Sequence, residues 1–184
     1  MRYLRKITLK NGKPGILRNC EGSDAEEIIK LWEKTHTETD YLLAYPDEKR
    51  ITVSEEEKFL EEKANSEREV QLCAVVDGKI VGLAGVTAIG KREKVRHRAE
   101  LGISVEKAYW GMGIGHVLTE ACIECAKKAN YEQMELEVVA DNASAISLYK
   151  RAGFMEYGRN PKGARSRYTG WQELVMMRME LEIS

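Results

Sequence analysis

Gly111, Gly113 and Gly115 alternate with Met112 and Ile114 directly after Trp110. Three bare positions in five let the main chain approach a ligand without obstruction from Cβ. Before this run, Leu101, Ile103 and Val105 alternate with Glu100, Gly102 and Ser104, the period of a strand. After it, Ile114, Val117, Leu118, Ala121, Cys122, Cys125 and Ala129 recur at helical spacing. A glycine turn between a strand and a helix start aims unpaired N–H groups outward, where the helix dipole is positive. The chemistry on offer is anion binding, with phosphate the usual guest.

The elements that must hold this turn can be read along the chain. Residues 3–9 alternate weakly, and Asn11-Gly12-Lys13-Pro14-Gly15 separates them from a second strand at 16–19. Ser23 and Glu26 have capping-box spacing and open a helix to about residue 37, with Ala25, Ile28, Ile29 and Trp32 on its apolar face. Thr52 or Ser54 starts an acidic helix to about residue 65. Residues 70–76 and 79–89 read as strands joined by the hairpin dipeptide Asp77-Gly78. Residues 132–140 alternate, with Met134, Leu136 and Val138 on one side. Asp141 or Asn142 caps a short helix that Gly153 stops. Residues 154–159 and 172–181 are the last strands, with a basic loop at 160–169. This order implies one α/β domain: a mixed, largely antiparallel central sheet of about seven strands flanked by about four helices.

Composition narrows the function classes. The 29 basic and 30 acidic residues leave a net charge of −1, which gives no reason to expect nucleic acid or a membrane surface as a partner. The basic start (Arg2, Arg5, Lys6) is not followed by an apolar run, so neither a signal peptide nor a membrane span is expected, and the reading is cytoplasmic. Cys122 and Cys125 lie on one helix with no second pair or histidine at ligand spacing. They read as buried thiols, and no metal is expected. A dinucleotide-binding G-x-G-x-x-G would need glycine where His116 stands, and its turn should open the first βαβ unit instead of following several strands.

Taken together, two stretches resemble the GNAT N-acetyltransferase superfamily. Trp110-Gly111-Met112-Gly113-Ile114-Gly115 is similar to its first motif, in which Arg or Gln precedes the glycines; Trp110 departs from that and removes a potential cation. Residues 137–154, Glu-Val-Val-Ala-Asp-Asn-Ala-Ser-Ala-Ile-Ser-Leu-Tyr-Lys-Arg-Ala-Gly-Phe, resemble its second motif almost position for position. The likeness spans about residues 14–182. Its Tyr-Trp-Gly form looks like the branch with acetyltransferases of ribosomal-protein N-termini and of polyamines.

The resemblance implies acetyl-coenzyme A as co-substrate and direct attack of an amine on its thioester. Gly111, Met112, Gly113, Ile114 and Gly115 would hold the pyrophosphate, and the backbones of Ile103 and Val105 would pair with the pantetheine arm. Asn142 would contact the cofactor as well as cap its helix, and His116 is a lesser contact. An acid must protonate the departing thiolate, and Tyr149 matches the tyrosine of the second motif. A base must neutralise the amine. Glu137, twelve residues before Tyr149, and Glu100, on the strand before the glycine turn, are the two candidates.

Acceptor pockets in this family are built by the first two helices and their connection. Residues 33–62 hold ten acidic and four basic side chains (Lys34, Lys49, Arg50, Lys58), a balance that suits a cationic amine, a polyamine or a peptide end. The resemblance also allows a homodimer through the last strands. A non-catalytic acyl-coenzyme A sensor is the alternative reading.

Overall fold

The computed structural model describes residues 1–48 and 51–182; Lys49 and Arg50, counted in the charge balance above, lie outside the described residues. Eight strands form one sheet: β1 (Leu4–Thr8), β2 (Pro14–Asn19), β3 (Val70–Val76), β4 (Lys79–Ala88), β5 (Arg98–Val105), β6 (Gln133–Val139), β7 (Met155–Ser166) and β8 (Gly170–Glu180). The four helices are α1 (Ala25–Glu38), α2 (Val53–Asn65), α3 (Ile114–Lys128) and α4 (Ala143–Ala152). The strand order is β1-β2-β3-β4-β5-β6-β8-β7. Every pairing is antiparallel except β5 with β6.

The weak alternation at the N-terminus forms β1, as expected, and the sheet has eight strands instead of about seven. The other correction is at β7, which runs to Ser166 through most of the expected loop at 160–169. Lys162 and Arg165 lie over the Trp171 ring of β8, at 5.3 and 5.2 Å. An edge strand with much of its surface in solvent needs no apolar alternation, so its polar sequence conceals it.

Helices cover both faces of the sheet. On one face α1 and α2 pack Ala25, Ile28, Leu31 and Leu60 against Cys73, Ile80 and Leu83. Leu31 and Thr35 are buried on α1, while Ile29 and Trp32 are only half-covered, so the buried stripe is rotated from the expected one. Ser23 and Glu26 form no capping box; Asp24 accepts from the Glu21 N–H at 2.8 Å and is gripped by Arg18 at 2.6 and 2.8 Å. The Thr52–Glu55 box at α2 is complete.

On the other face, α3 and α4 pack over Leu101, Met134, Leu136, Val138, Val175 and Met177. Here α3 sits close to bare backbone: a Cβ on Gly82 would lie 3.2 Å from both Ile114 Cγ2 and Leu118 Cδ1. Cys122 and Cys125 are buried on its core face, as their spacing predicts. Burial pushes the Cys125 thiol up to about 11 and Cys122 higher still.

The parallel β5–β6 pairing is short. It covers Arg98↔Gln133, Ala99↔Met134 and Glu100↔Glu135, and no further. Beyond Glu100, β5 keeps its partner β4 up to Val105, and β6 keeps β8 up to Val139. The sheet therefore opens between the C-terminal halves of β5 and β6. Arg98 closes the base of this split: its Nε and Nη2 donate to the two oxygens of Glu135, the second at 2.7 Å, and Gln133 Nε2 adds a third bond at 2.6 Å.

Arg98→Met should lower stability at pH 7 by about 2 kcal/mol, because the buried Glu135 carboxylate loses its ion partner. Arg98 holds the Glu135 carboxyl below its ordinary value of 4.5, so the stabilisation is present above that pH and is lost as pH falls through the depressed folded value. Urea unfolding should accordingly show the wild-type and variant curves converging as pH is lowered through 4.5 and below.

Candidate active site

The pleat of β5 decides what the split presents. The Glu106 N–H donates to the Val81 carbonyl at 2.9 Å, and the β4–β5 register is unbroken. In an antiparallel ladder, bonded and non-bonded residues alternate. The main-chain groups of Glu100, Gly102 and Ser104 therefore turn toward β4, and those of Leu101, Ile103 and Val105 turn toward the split. Trp110 agrees with this: its Nε1–H reaches back to the Val105 carbonyl at 2.7 Å. A Cβ on Gly102 would meet nothing within 4 Å, so open space lies over the strand.

At the far end of β5 a single helical turn, Lys107–Tyr109, leads into the glycine run. Gly111 and Gly113 have φ of +76° and +93°, a left-handed conformation that a side chain would oppose. Gly113 is the N-cap of α3, and no side chain caps the helix there. Its first-turn N–H groups are thus presented outward, as helix geometry requires. A Cβ on Gly111 would meet nothing within 4 Å. Beside the turn α4 packs tightly, with Leu148 Cδ1 at 3.0 Å from where a Gly115 Cβ would stand.

These features suit a ligand with phosphate at one end and amides along an extended arm. The description Acetyltransferase (GNAT) family belongs to the family model that matches residues 26–154. The chain belongs to the GNAT acetyltransferase family. The L-amino acid N-acetyltransferase AaaT of Escherichia coli is 28% identical over 150 residues, which are 81% of this chain and 88% of that protein. An N-alpha-acetyltransferase of Sulfurisphaera tokodaii is 28% identical over 155 residues, 80% of this chain and 84% of its own. The crystal structure of a GNAT-family acetyltransferase from Streptococcus pneumoniae superposes with a TM-score of 0.86 at 30% identity, covering 91% of this chain and 99% of that one. The chain is thus an acetyl-coenzyme A-dependent N-acetyltransferase, which transfers acetyl to an amine.

Within this GNAT frame the expected residues fall on two sides of the sheet. Glu100 and Glu137 project from the face that carries α1 and α2, and both are exposed. Glu100 stands at the last paired rung, opposite Glu135, whereas Glu137 lies one pleat further, where β6 has left β5. Tyr149 lies on the opposite face, under α4, edge-on to Phe154 at 5.8 Å between centroids. It is 93% buried, yet its hydroxyl is not sealed and makes no protein hydrogen bond among the described residues. Burial raises its pKa above the usual tyrosine range, with Cys122 adding to the rise.

Asn142 caps α4 by accepting from the Ala145 N–H at 3.1 Å, and among the described residues its side-chain NH₂ has no acceptor. His116 is not aimed at the glycine turn; its Nε2 lies 3.2 Å from Glu120, one helical turn along α3. His36 stacks on Trp32 at 4.1 Å and donates from Nδ1 to the Trp32 carbonyl, and burial lowers its pKa.

One part of the site carries no motif in the sequence. The α1–α2 connection is tied to the β7–β8 turn. Asp40 accepts from Tyr45 at 3.3 Å, Thr169 at 3.2 Å and Gln172 at 3.1 Å, and the Tyr45 hydroxyl accepts from the Arg167 N–H at 2.8 Å. Arg167 also pairs with Asp47 at 2.7 Å and lies over the Tyr45 ring. The helix itself is hitched to the turn before the glycines: Glu38 accepts from the Lys107 N–H at 2.7 Å, and Lys34 pairs with Glu106. Several acids of the 33–62 stretch are therefore committed to internal bonds, and its −6 balance overstates the charge open to a substrate. Only pairwise contacts across more than a hundred residues could have revealed this strap.

Tyr45→Phe removes the bond to Asp40 and the acceptor for Arg167. Amide exchange should quicken in residues 39–48 and 166–169, while global stability changes by about 1 kcal/mol or less. Hydrogen-exchange mass spectrometry on both segments checks this.

Proposed function

We propose that this enzyme acetylates a primary amine by direct attack, with Tyr149 as the acid and Glu137 as the base. The observation that carries the reading is the split between β5 and β6. It offers unpaired main-chain groups, ends at a bare glycine turn, and has carboxylates on one face and a sheltered tyrosine on the other. The donor, when bound, supplies an activated acetyl thioester. Ile103 and Val105 hold its arm through their backbones, and residues 111–115 hold its pyrophosphate through N–H groups. The free side-chain NH₂ of Asn142 contributes a further hydrogen bond.

Glu137 takes a proton from the acceptor ammonium, directly or through one water, so that the neutral amine can attack. An unpaired N–H of β5 steadies the carbonyl oxygen as charge develops on it. The C–S bond then breaks, Tyr149 gives its proton to the departing thiolate, and the attacking nitrogen, cationic once its new bond has formed, loses its second proton to solvent. A hydroxyl whose pKa is raised by burial stays protonated until that moment, and solvent reaches it to restore the proton. Glu137 is preferred over Glu100 because it stands beside the opened part of the split, whereas Glu100 is at its closed base.

The acceptor approaches from the α1–α2 face. Asp40 there is bonded by neutral donors, and no ion pair involves it among the described residues. A cationic acceptor fits that charge. Because relatives are named for amino acids and for N-alpha acetylation, we place this enzyme's acceptor among α-amines, of a free amino acid or of a peptide end. The four cysteines are buried and unpaired, which fits a reducing cytoplasm.

Tyr149→Phe should lower kcat by about a hundredfold or more while the melting temperature and the Kd for acetyl-coenzyme A hold. An unchanged kcat would move the acid elsewhere. Glu137→Gln should cost about a hundredfold at pH 7, and the loss should shrink as pH approaches the amine's own pKa of about 8. A larger loss in Glu100→Gln would transfer the base to that residue. Product analysis over amino acids, short peptides and polyamines should favour α-amines, and no turnover with any amine would overturn the enzyme reading.

A further inference from the structure

The N-terminal hairpin lies outside the region matched by the family model, yet its tip meets the glycine turn. The Lys10 N–H donates to the Met112 carbonyl at 3.1 Å, and Asn11 Nδ2 lies 3.7 Å from Met112 Sδ. The Lys10 side chain runs along Gly113: its Cγ and Cε would be 3.7 and 3.9 Å from a Cβ at that position. The hairpin turn is itself fixed, by Leu9 N–H to the Lys13 carbonyl at 2.8 Å and Gly12 N–H to the Leu9 carbonyl at 2.9 Å. Lys10 is exposed and has no carboxylate partner among the described residues. Its neighbour Lys13 is already neutralised by Asp77 at 2.8 Å.

Residues 110–115 hold no lysine or arginine, and the Lys107 ammonium before them lies over the Trp110 ring at 5.9 Å. Trp110 stands where a guanidinium would, and its indole N–H is spent on the Val105 carbonyl. His116 is engaged with Glu120. Backbone N–H groups alone would face the two charges of a pyrophosphate.

We propose that Lys10, delivered by the β1–β2 hairpin, supplies the cation for the pyrophosphate of coenzyme A and replaces the one missing at Trp110. This rests on residues 111–115 being the pyrophosphate cradle. The hairpin is then part of the cofactor site, and docking its tip on Met112 holds the ammonium at the open side of Gly113. A flexible lysine acts as a point charge, so an arginine can substitute for it.

Calorimetric titration tests this with acetyl-coenzyme A and with acetyl-dephospho-coenzyme A, which keeps the pyrophosphate and lacks the 3′-phosphate. Lys10→Met should raise Kd for both ligands by the same factor, about three- to tenfold, with an unchanged melting temperature. Lys10→Arg should restore affinity, and Lys13→Met should change it little, because that charge is already paired. The Lys10→Met variant should also show a weaker dependence of Kd on salt than the wild type. Equal affinity in wild type and Lys10→Met would overturn the assignment. So would an effect seen only with the intact 3′-phosphate, or an equal loss in Lys13→Met, which would mean a diffuse field. A wild-type protein that binds neither ligand would instead overturn the cradle itself.

Discussion

Three rungs of parallel pairing govern this molecule. If β5 and β6 stayed paired to their ends, the sheet would be continuous and nothing could enter it. If they did not pair at all, α3 would have no fixed route between them. The pairing stops at Glu100↔Glu135, and the Arg98–Glu135 bridge sits at that point on the α1–α2 face. A buried carboxylate with a bidentate arginine tolerates little displacement, because separating the charges leaves one of them desolvated and unpaired. The bridge therefore marks where the split starts. Past it, each strand is held by its outer neighbour alone, β5 by β4 and β6 by β8, and the twist of the sheet carries the two apart.

Everything at the top of the split then hangs on β5. Val105 ends the strand with its carbonyl turned away from β4, and Trp110 closes a short loop by donating to it. That bond fixes where the glycine run begins. The start of α3 is fixed from the other direction, because Ile114 and Leu118 rest on the bare backbone at Gly82. The left-handed turn at Gly111 and Gly113 joins two anchored points, and this keeps its N–H groups in place without a side-chain cap. Lys34–Glu106 and Glu38–Lys107 connect the same loop to α1. The helix that borders the acceptor side and the turn that borders the cofactor side are thus one mechanical unit.

Much of this was legible in the sequence because it is local. The alternation at 101–105 and 134–138, the helical spacing from Ile114, the Asp77-Gly78 hairpin and the caps at Thr52, Asn142 and Gly153 each depend on neighbours within a few residues. Failures came where the deciding partner is remote. Ser23 and Glu26 had the right spacing for a box, but Arg18 recruits Asp24 to cap the preceding turn. The polar run after Asn160 looked like loop because its support is the backbone of β8 and the ring of Trp171. The acids at 38, 40 and 47 looked like an open negative surface; Asp40 and Asp47 are tethers of a strap to residues 166–172, and Glu38 is held by the Lys107 N–H. Motif matching located the candidate acid and bases, but their separation onto opposite faces of the sheet follows only from the pleat.

That separation bears on how one site can remove a proton and supply another. A base and an acid sharing a pocket would exchange protons with each other before the substrate. Here the sheet lies between them. Where the split opens, the α1–α2 face holds exposed carboxylates, which suit an incoming cation. The α3–α4 face is apolar, lined by Leu136, Val138, Cys122 and Phe154, and there burial favours the neutral form of Tyr149. On the proposed assignment the thioester sits in the plane of the split, open to attack from the polar side and to protonation from the apolar one. The direction of proton flow is then set by which helices cover which face, and no single residue has to change its character during the reaction.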